Sequence, residues 1–151
     1  KNPGCAWSRT RLDGWREGIA KEGGASAEKD VFLFENYLDV KDTVRSLIGR
    51  LSRYTALVCA NDNLALQTIS TLKAMNLRIP EDVSVTGYDN MPWDSVQNGL
   101  TTAAFPDEKI ISSFLSLAQM RISGRTNEMG DRICLVIRPI IIPRNSWLSL
   151  K

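Results

Sequence analysis

Polar side chains follow two strand-like runs of this sequence and have the chemistry to hold a hydroxyl-rich ligand. Asn61 and Asp62 come directly after the apolar run 55–60, and Asp89 follows the run 83–87. An amide both donates and accepts hydrogen bonds, and a carboxylate accepts from two hydroxyls. Because ligands of open α/β sheets bind at the carboxyl ends of the strands, we expect Asn61 and Asp89 to face one cleft.

Local structural roles compete for the same residues. Asp62 favours a role as a helix cap, since a short side-chain oxygen accepts a free backbone N–H at a helix start. Asp89 could instead bond its own backbone within a turn.

Catalytic chemistry has little support in the composition. The 151 residues include no histidine, which excludes histidine-based triads and every histidine-containing metal site. Cys5, Cys59 and Cys134 are too scattered to close a zinc site alone, and they fit reduced thiols of a cytosolic protein. Asp62 and Asp89 have no evident nucleophile partner. The sequence therefore favours a protein that is not an enzyme and needs no cofactor.

Bulk properties exclude further classes. The chain is 43% hydrophobic and 24% charged, which is ordinary for a globular protein. A net charge of +2 is too small to indicate binding to nucleic acid or to an anionic membrane. No apolar run approaches the ~18 residues that span a bilayer, and no signal-peptide pattern opens the chain. We therefore expect a cytoplasmic protein without a membrane partner.

Hydrophobic periodicity supplies the elements that must position these residues. Helices are predicted over 9–22, over 39–51 with Asp39 as cap, from Asn61-Asp62 to Asn76, and over 107–122. Strands or short β runs are predicted over 31–35, 55–60, 83–87, 100–103, 133–137 and 140–142. Alternating helices and strands indicate an α/β fold, a mostly parallel sheet with helices on both faces. Because the chain begins with a helix, we expect that a strand which would precede it is missing.

Several segments together resemble a known family. They are RTRLDGWREGIAKEG, then ALVCANDNLALQTISTLKAMNLRIPEDVSVTGYDNMPW, then LTT and IIIPRNS. In their order and spacing they resemble the C-terminal part of the lactose/galactose repressor (LacI/GalR) family, whose effector module has a periplasmic-binding-protein-like fold. In that family a helix-turn-helix and a hinge precede two effector-binding subdomains.

The resemblance implies a function and an organisation. Residues 1–151 would form a single effector-binding fragment of a bacterial repressor, with a crossover helix 107–122 that normally docks on the first subdomain. The effector would be a sugar or sugar derivative, the assembly a homodimer, and DNA would be bound only through a helix-turn-helix outside this chain. The alternative is a fragment of a periplasmic-type sugar-binding transport protein.

The resemblance also implies ligand-binding residues. Arg11 matches the arginine of the R-x-x-G motif, with Arg9 as the weaker alternative, and its guanidinium suits vicinal hydroxyls or an anion. Asn61 and Asp89 match the family's A-N-D and G-Y-D turns. Tyr37 would stack on the ligand or only close the loop, and Trp93 would stack or contact a second subunit.

Helix 61–76 resembles the helix through which the family dimerises. Leu64, Leu66 and Ile69 would form that interface, with core packing as the alternative. The sequence also departs from the family on helix 107–122, where Ile111 and Phe114 replace smaller residues. We hypothesise that a second copy covers this wide apolar stripe, through domain exchange.

Overall fold

The structure is a computed structural model that describes residues 6–25, 28–33, 36, 38–92, 98–124 and 133–149. Its helices are α1 (Ala6–Lys21), α2 (Asp39–Ser46), α3 (Asp62–Ala74) and α4 (Asp107–Ile122). Its strands are β1 (Ala56–Val58), β2 (Ser84–Tyr88), β3 (Thr101–Ala104) and β4 (Ile140–Ile142). Short 3-10 helices span Glu28–Asp30 and Ile48–Arg53.

The strands form one sheet in the order β1-β2-β3-β4. β1 pairs with β2, and β2 with β3, in parallel, whereas β4 runs antiparallel to β3. Leu57 lies opposite Val85, and Gly87 lies opposite Thr102. The prediction of an α/β fold with a mostly parallel sheet is confirmed. The parallel pairing brings the ends of β1 and β2 to the same edge, where Asn61 and Asp89 follow them.

The core lies where α2 and α3 pack on each other and α3 packs on β2. Leu72 of α3, Val85 of β2 and Leu100 before β3 are completely buried. Burying each such side chain contributes roughly 1.5–3 kcal/mol relative to leaving it exposed. α3 ends at a left-handed residue, Asn76 with φ 61°, as the sequence predicts.

Four local predictions were wrong for the described residues. Residues 31–33 and 133–137 form no strand in the described chain, because an extended run becomes a strand only when a neighbour pairs with it. Asp39 does not cap α2: it is the first helical residue, the cap position is Leu38, and no side chain bonds there. The helix predicted to Leu51 ends at Ser46, after which the backbone tightens into the 3-10 helix Ile48–Arg53.

α4 spans Asp107–Ile122, the bounds that the sequence predicts, yet it buries none of its residues. Phe114 is 68% exposed and Ile122 is 88% exposed, although both are large and apolar. Large apolar side chains exposed on one helix are consistent with the predicted docking role of α4, which stays a prediction. Among the described residues, no helix is both long and apolar enough to cross a membrane.

Candidate ligand site at the carboxyl edge of the sheet

Arg11 of α1 spans the two polar turns at this edge. Its Nη2 forms an ion pair with Asp89 Oδ1 at 2.9 Å, and its Nη1 donates to the carbonyl of Ala60. Its Cζ lies 3.8 Å from the centroid of the Tyr88 ring, a cation–π geometry. One guanidinium therefore joins the turn after β1 to the turn after β2. The structure brings Arg11 and Asp89, both predicted site residues, into direct contact.

Asp89 lies in a turn with unusual backbone geometry. Its φ is 113°, and that of Asn90 is 53°, both in the left-handed region that costs energy for residues other than glycine. The Asp89 N–H donates to the carbonyl of Ala103 at 2.8 Å, and no bond of its carboxylate to its own backbone is among the described contacts. Asn and Asp tolerate this region better than most residues. The turn thus presents the Asp89 carboxylate away from β2 and towards Arg11.

The cap of α3 is Asn61, and not Asp62 as predicted. Asn61 is the N-cap of α3, and its Oδ1 accepts from the Leu64 N–H at 2.9 Å. Asp62 is the first helical residue, completely buried, and it does not cap the helix. The cap falls on Asn61 because that residue keeps extended backbone, φ −153° and ψ 170°, as a cap requires. Asn61 is only 8% exposed.

The Asp62 carboxylate lies directly behind the Asp89 turn. Its Oδ1 accepts from the hydroxyl of Thr102 at 2.6 Å, and its Oδ2 accepts from the backbone N–H of Met91 at 2.8 Å. These contacts were not predicted, because Asp62 is separated from Thr102 by 40 residues and from Met91 by 29. The sequence signal was limited to two adjacent residues, Asn61 and Asp62, of which only one can be the cap.

A second support comes from the C-terminal segment. Arg144 donates through Nη2 to Asn90 Oδ1 at 2.7 Å and through Nη1 to the Leu100 carbonyl at 2.6 Å. Ser146, buried, accepts from the Thr101 N–H at 2.8 Å and donates to the Val85 carbonyl at 2.6 Å. Both residues belong to the IIIPRNS segment, and neither of the two had a predicted role. They fix the positions of β2, β3 and the turn relative to one another.

An aromatic pair borders the arginine. The rings of Tyr88 and Phe105 meet edge to face, 5.5 Å between centroids and 69° between planes. Phe105 is half exposed. Tyr37 and Trp93, the predicted stacking residues, lie outside the described residues. Tyr88 is therefore the aromatic side chain that the structure places against Arg11.

Opposite charges face each other at the site. The charges of Arg11 and Asp89 compensate each other, and their side chains are 19% and 33% exposed, so the pair is reachable from solvent. A ligand that inserts hydroxyls between the two keeps donors facing the carboxylate and acceptors facing the guanidinium.

Groups for nucleophilic or metal chemistry are not assembled in the described chain. Burial raises the pKa of the Cys59 thiol to about 11, despite a weak bond to Thr68, so the thiol stays protonated near neutral pH. Among the described residues, no cluster of three or more metal-ligating side chains occurs.

The predicted interface residues divide by burial. Ile69 is 4% exposed and belongs to the core. Leu64 and Leu66 are half-buried and pack against that core from its edge. Of the three predicted interface residues, Leu64 and Leu66 alone retain exposed surface that a partner could contact.

Two concavities lie at the opposite edge of the sheet. They have volumes of about 220 and 200 Å³ and share Thr55, Ser84 and Leu148 in their walls. Thr55 and Ser84 stand at the amino ends of β1 and β2, far along the strands from Asp89. Neither concavity contains a predicted ligand residue, so both are separate from the wall that Arg11 and Asp89 form.

Comparison with known proteins connects this chain to a family. The family of periplasmic binding protein-like domains matches residues 1–147. The HTH-type transcriptional repressor PurR of Aliivibrio fischeri (strain MJ11) is 35% identical over 103 residues, which are 68% of this chain and 30% of the relative. The chain spans well under half the length of such relatives.

Solved structures share the fold. A sugar-binding transcriptional regulator of the LacI family from Escherichia coli, complexed with phosphate, superimposes with a TM-score of 0.75 at 21% identity. The match covers 99% of this chain and 53% of that one. The complex of the transcriptional regulator CelR with cellobiose matches with a TM-score of 0.67 at 27% identity, over 91% of this chain and 42% of that one.

Proposed function

The chain belongs to the family of periplasmic binding protein-like domains, in the group of LacI-type transcriptional repressors, and from this we propose that it binds a neutral sugar or sugar derivative as effector. The repressor relatives favour this function over the alternative of a transport protein. Catalysis has no support from relatives that are named as repressors.

The observation that carries the proposal is the Arg11–Asp89 pair between the two turns. Arg11 offers donors in a fixed fork, and Asp89 offers acceptors, across a short distance at the ligand edge of the sheet. Vicinal hydroxyls match such alternating donors and acceptors. The Tyr88 ring face is occupied by Arg11, which keeps the guanidinium in place for this role. Asn61 lies at the start of the neighbouring turn and would supply its amide.

Ligand class follows from the charge of this wall. One relative of known structure is complexed with cellobiose, a neutral sugar, and another with phosphate, an anion. Here the Asp89 carboxylate neutralises Arg11 and would repel an anion beside it. This favours the neutral sugar.

The wider function rests on the rest of the repressor. We infer that effector binding biases a homodimer between two states, with Leu64 and Leu66 at the interface. DNA would be bound through a helix-turn-helix that these 151 residues do not include, and a repressor of this kind would act in the cytoplasm.

Calorimetric titration of this chain with cellobiose and a panel of neutral monosaccharides tests the proposal. We expect at least one sugar to bind, and Asp89→Ala to weaken that sugar about tenfold or more, since a charge-assisted hydrogen bond contributes about 1.5–3 kcal/mol. Inorganic phosphate should bind the unsubstituted chain no more tightly than it binds the Asp89→Ala variant.

Asp42→Ala is the matched control, because Asp42 is an exposed aspartate of α2 paired only locally with Arg45. It should leave affinity unchanged. Absence of binding to every sugar, or equal affinity in Asp89→Ala, would remove the neutral-sugar proposal.

A further inference from the structure

Four parts of the fold meet at the Asp62 carboxylate. Asp62 opens α3, Gly87 lies near the end of β2, Thr102 belongs to β3, and Met91 follows the Asp89 turn. The carboxylate is completely buried, and each of its oxygens accepts one hydrogen bond from a different part of the chain. A buried carboxylate is retained in a fold only when its acceptors are satisfied in this way.

Gly87 leaves the space that this carboxylate occupies. A Cβ at position 87 would lie 2.3 Å from Asp62 Oδ1 and 3.0 Å from a methyl of Leu100. Any side chain there would displace the carboxylate from its two donors. The glycine just before Tyr88 and Asp89 is therefore a packing requirement of Asp62, since nothing in its backbone demands a glycine.

The Asp89 turn depends on such external support. Asp89 and Asn90 both have positive φ, and strained backbone of this kind persists only where surrounding contacts determine it. Met91, one residue beyond them, is bonded to Asp62, and the Asn90 N–H lies 3.4 Å from the same Thr102 hydroxyl that donates to Asp62. The helix start and the turn are thus joined through one side chain.

We propose that Asp62 is a positioning residue, which holds the Asp89 turn in its ligand-facing geometry and ties that turn to the first turn of α3. A displacement of Asp89 on effector binding would then move the start of α3, the helix that carries Leu64 and Leu66. The inference uses the proposed function only for the ligand role of Asp89. The contacts of Asp62 exist without a ligand, so they are testable without one.

The test is nuclear magnetic resonance of the ligand-free chain. Arg11 Cζ lies 3.8 Å from the centroid of the Tyr88 ring, so we expect the ring current to shift the nearby δ-methylene protons of Arg11 upfield, with Tyr88→Leu giving the unshifted reference. Asp62→Ala should move this signal towards that reference. It should also raise the exchange rate of the Met91 amide by about tenfold or more relative to core amides such as that of Leu72.

Asp62→Asn separates positioning from mere folding. The asparagine amide is able to accept from Met91 and to donate to Thr102, whose hydroxyl then donates to the neighbouring Ala103 carbonyl at 3.2 Å. We expect this variant to restore the Arg11 signal and slow Met91 exchange. Asn63→Ala, at the exposed neighbour whose side chain bonds only along α3 to Gln67, is the matched control and should change neither readout.

If Asp62→Ala does not fold, Thr102→Val takes its place in the test. This substitution removes the hydroxyl that donates to Asp62 and keeps the shape of the side chain. It should reproduce both changes in weaker form. The proposal is overturned if a folded Asp62→Ala, or Thr102→Val in its place, leaves Arg11 and Met91 as in the parent, or if Asp62→Asn is as disturbed as Asp62→Ala. A failure of sugar binding would leave these outcomes unaffected.

Discussion

Among the individual residues, Asn61 has both a structural contact and a proposed ligand role. Its Oδ1 caps α3, whereas a ligand role would use the same amide group at the same edge of the sheet. Replacement by alanine removes both, so it does not tell them apart. A serine keeps a cap oxygen on a shorter side chain that donates and accepts differently. The two substitutions together separate the structural from the ligand contribution.

Asn61→Ala should lower the free energy of unfolding by about 1 kcal/mol, since the Leu64 N–H loses its acceptor near the buried start of α3. Asn61→Ser should retain most of that stability. Urea denaturation followed by circular dichroism measures both. If Asn61→Ala is as stable as the parent, the cap bond does not contribute, and the extended backbone at Asn61 alone sets the helix start.

Among the helices and strands, Gly14 and Gly87 differ in whether packing requires a glycine. Gly14 lies within α1, and a Cβ built there meets no atom within 4 Å. Gly87 lies in β2, where a Cβ would overlap the Asp62 carboxylate. Glycine in a helix interior costs conformational entropy without a return in packing. Glycine in β2 allows α3 to approach the strand.

Gly87→Ala should therefore destabilise the fold by about 1–3 kcal/mol through overpacking. Gly14→Ala, the matched substitution, should stabilise it by about 0.5–1 kcal/mol. Chemical denaturation of both variants measures the sign of each change in unfolding free energy. The slope of that free energy against denaturant concentration should be the same in both variants as in the parent. A Gly87→Ala variant as stable as the parent would show that α3 shifts easily away from β2, against the close contact that the structure describes.

The whole molecule presents one face that its own described residues do not cover. α4 buries no side chain, and its apolar residues Ile111, Phe114, Leu115 and Ile122 are each more than half exposed. Relatives are more than twice as long as this chain, so a first subdomain is one natural cover. For the 151-residue chain alone, we propose that a second copy takes that place.

Size-exclusion chromatography with light scattering should then show association that rises with concentration. Phe114→Ser should weaken it, because the substitution removes an exposed aromatic ring from the face. Ser116→Ala, on the same helix, serves as control: its hydroxyl bonds only within α4, to the Ser112 carbonyl. A clean monomer at high concentration, or association that Phe114→Ser leaves unchanged, contradicts a second copy at α4.

Local patterns predicted much of this protein. Apolar periodicity located α1, α3 and α4, and the runs before Asn61 and Asp89 located β1 and β2. Parallel pairing then implied that both turns share one edge, and the resemblance added Arg11 opposite them. These inferences succeed because helix and strand patterns repeat over neighbouring residues, and because a strand–helix–strand unit has a fixed handedness.

Tertiary structure decided which side chain does what within those turns. Asp62, and not Asn61, became the buried link, because its partners Thr102 and Met91 arrive from 40 and 29 residues away. Arg144 reaches Asn90 across 54 residues, and residues 31–33 form no strand because no neighbour pairs with them there. The local spacing of residue types does not show which distant residues will be in contact. Burial and hydrogen-bond partners of individual side chains are set only when distant segments pack together.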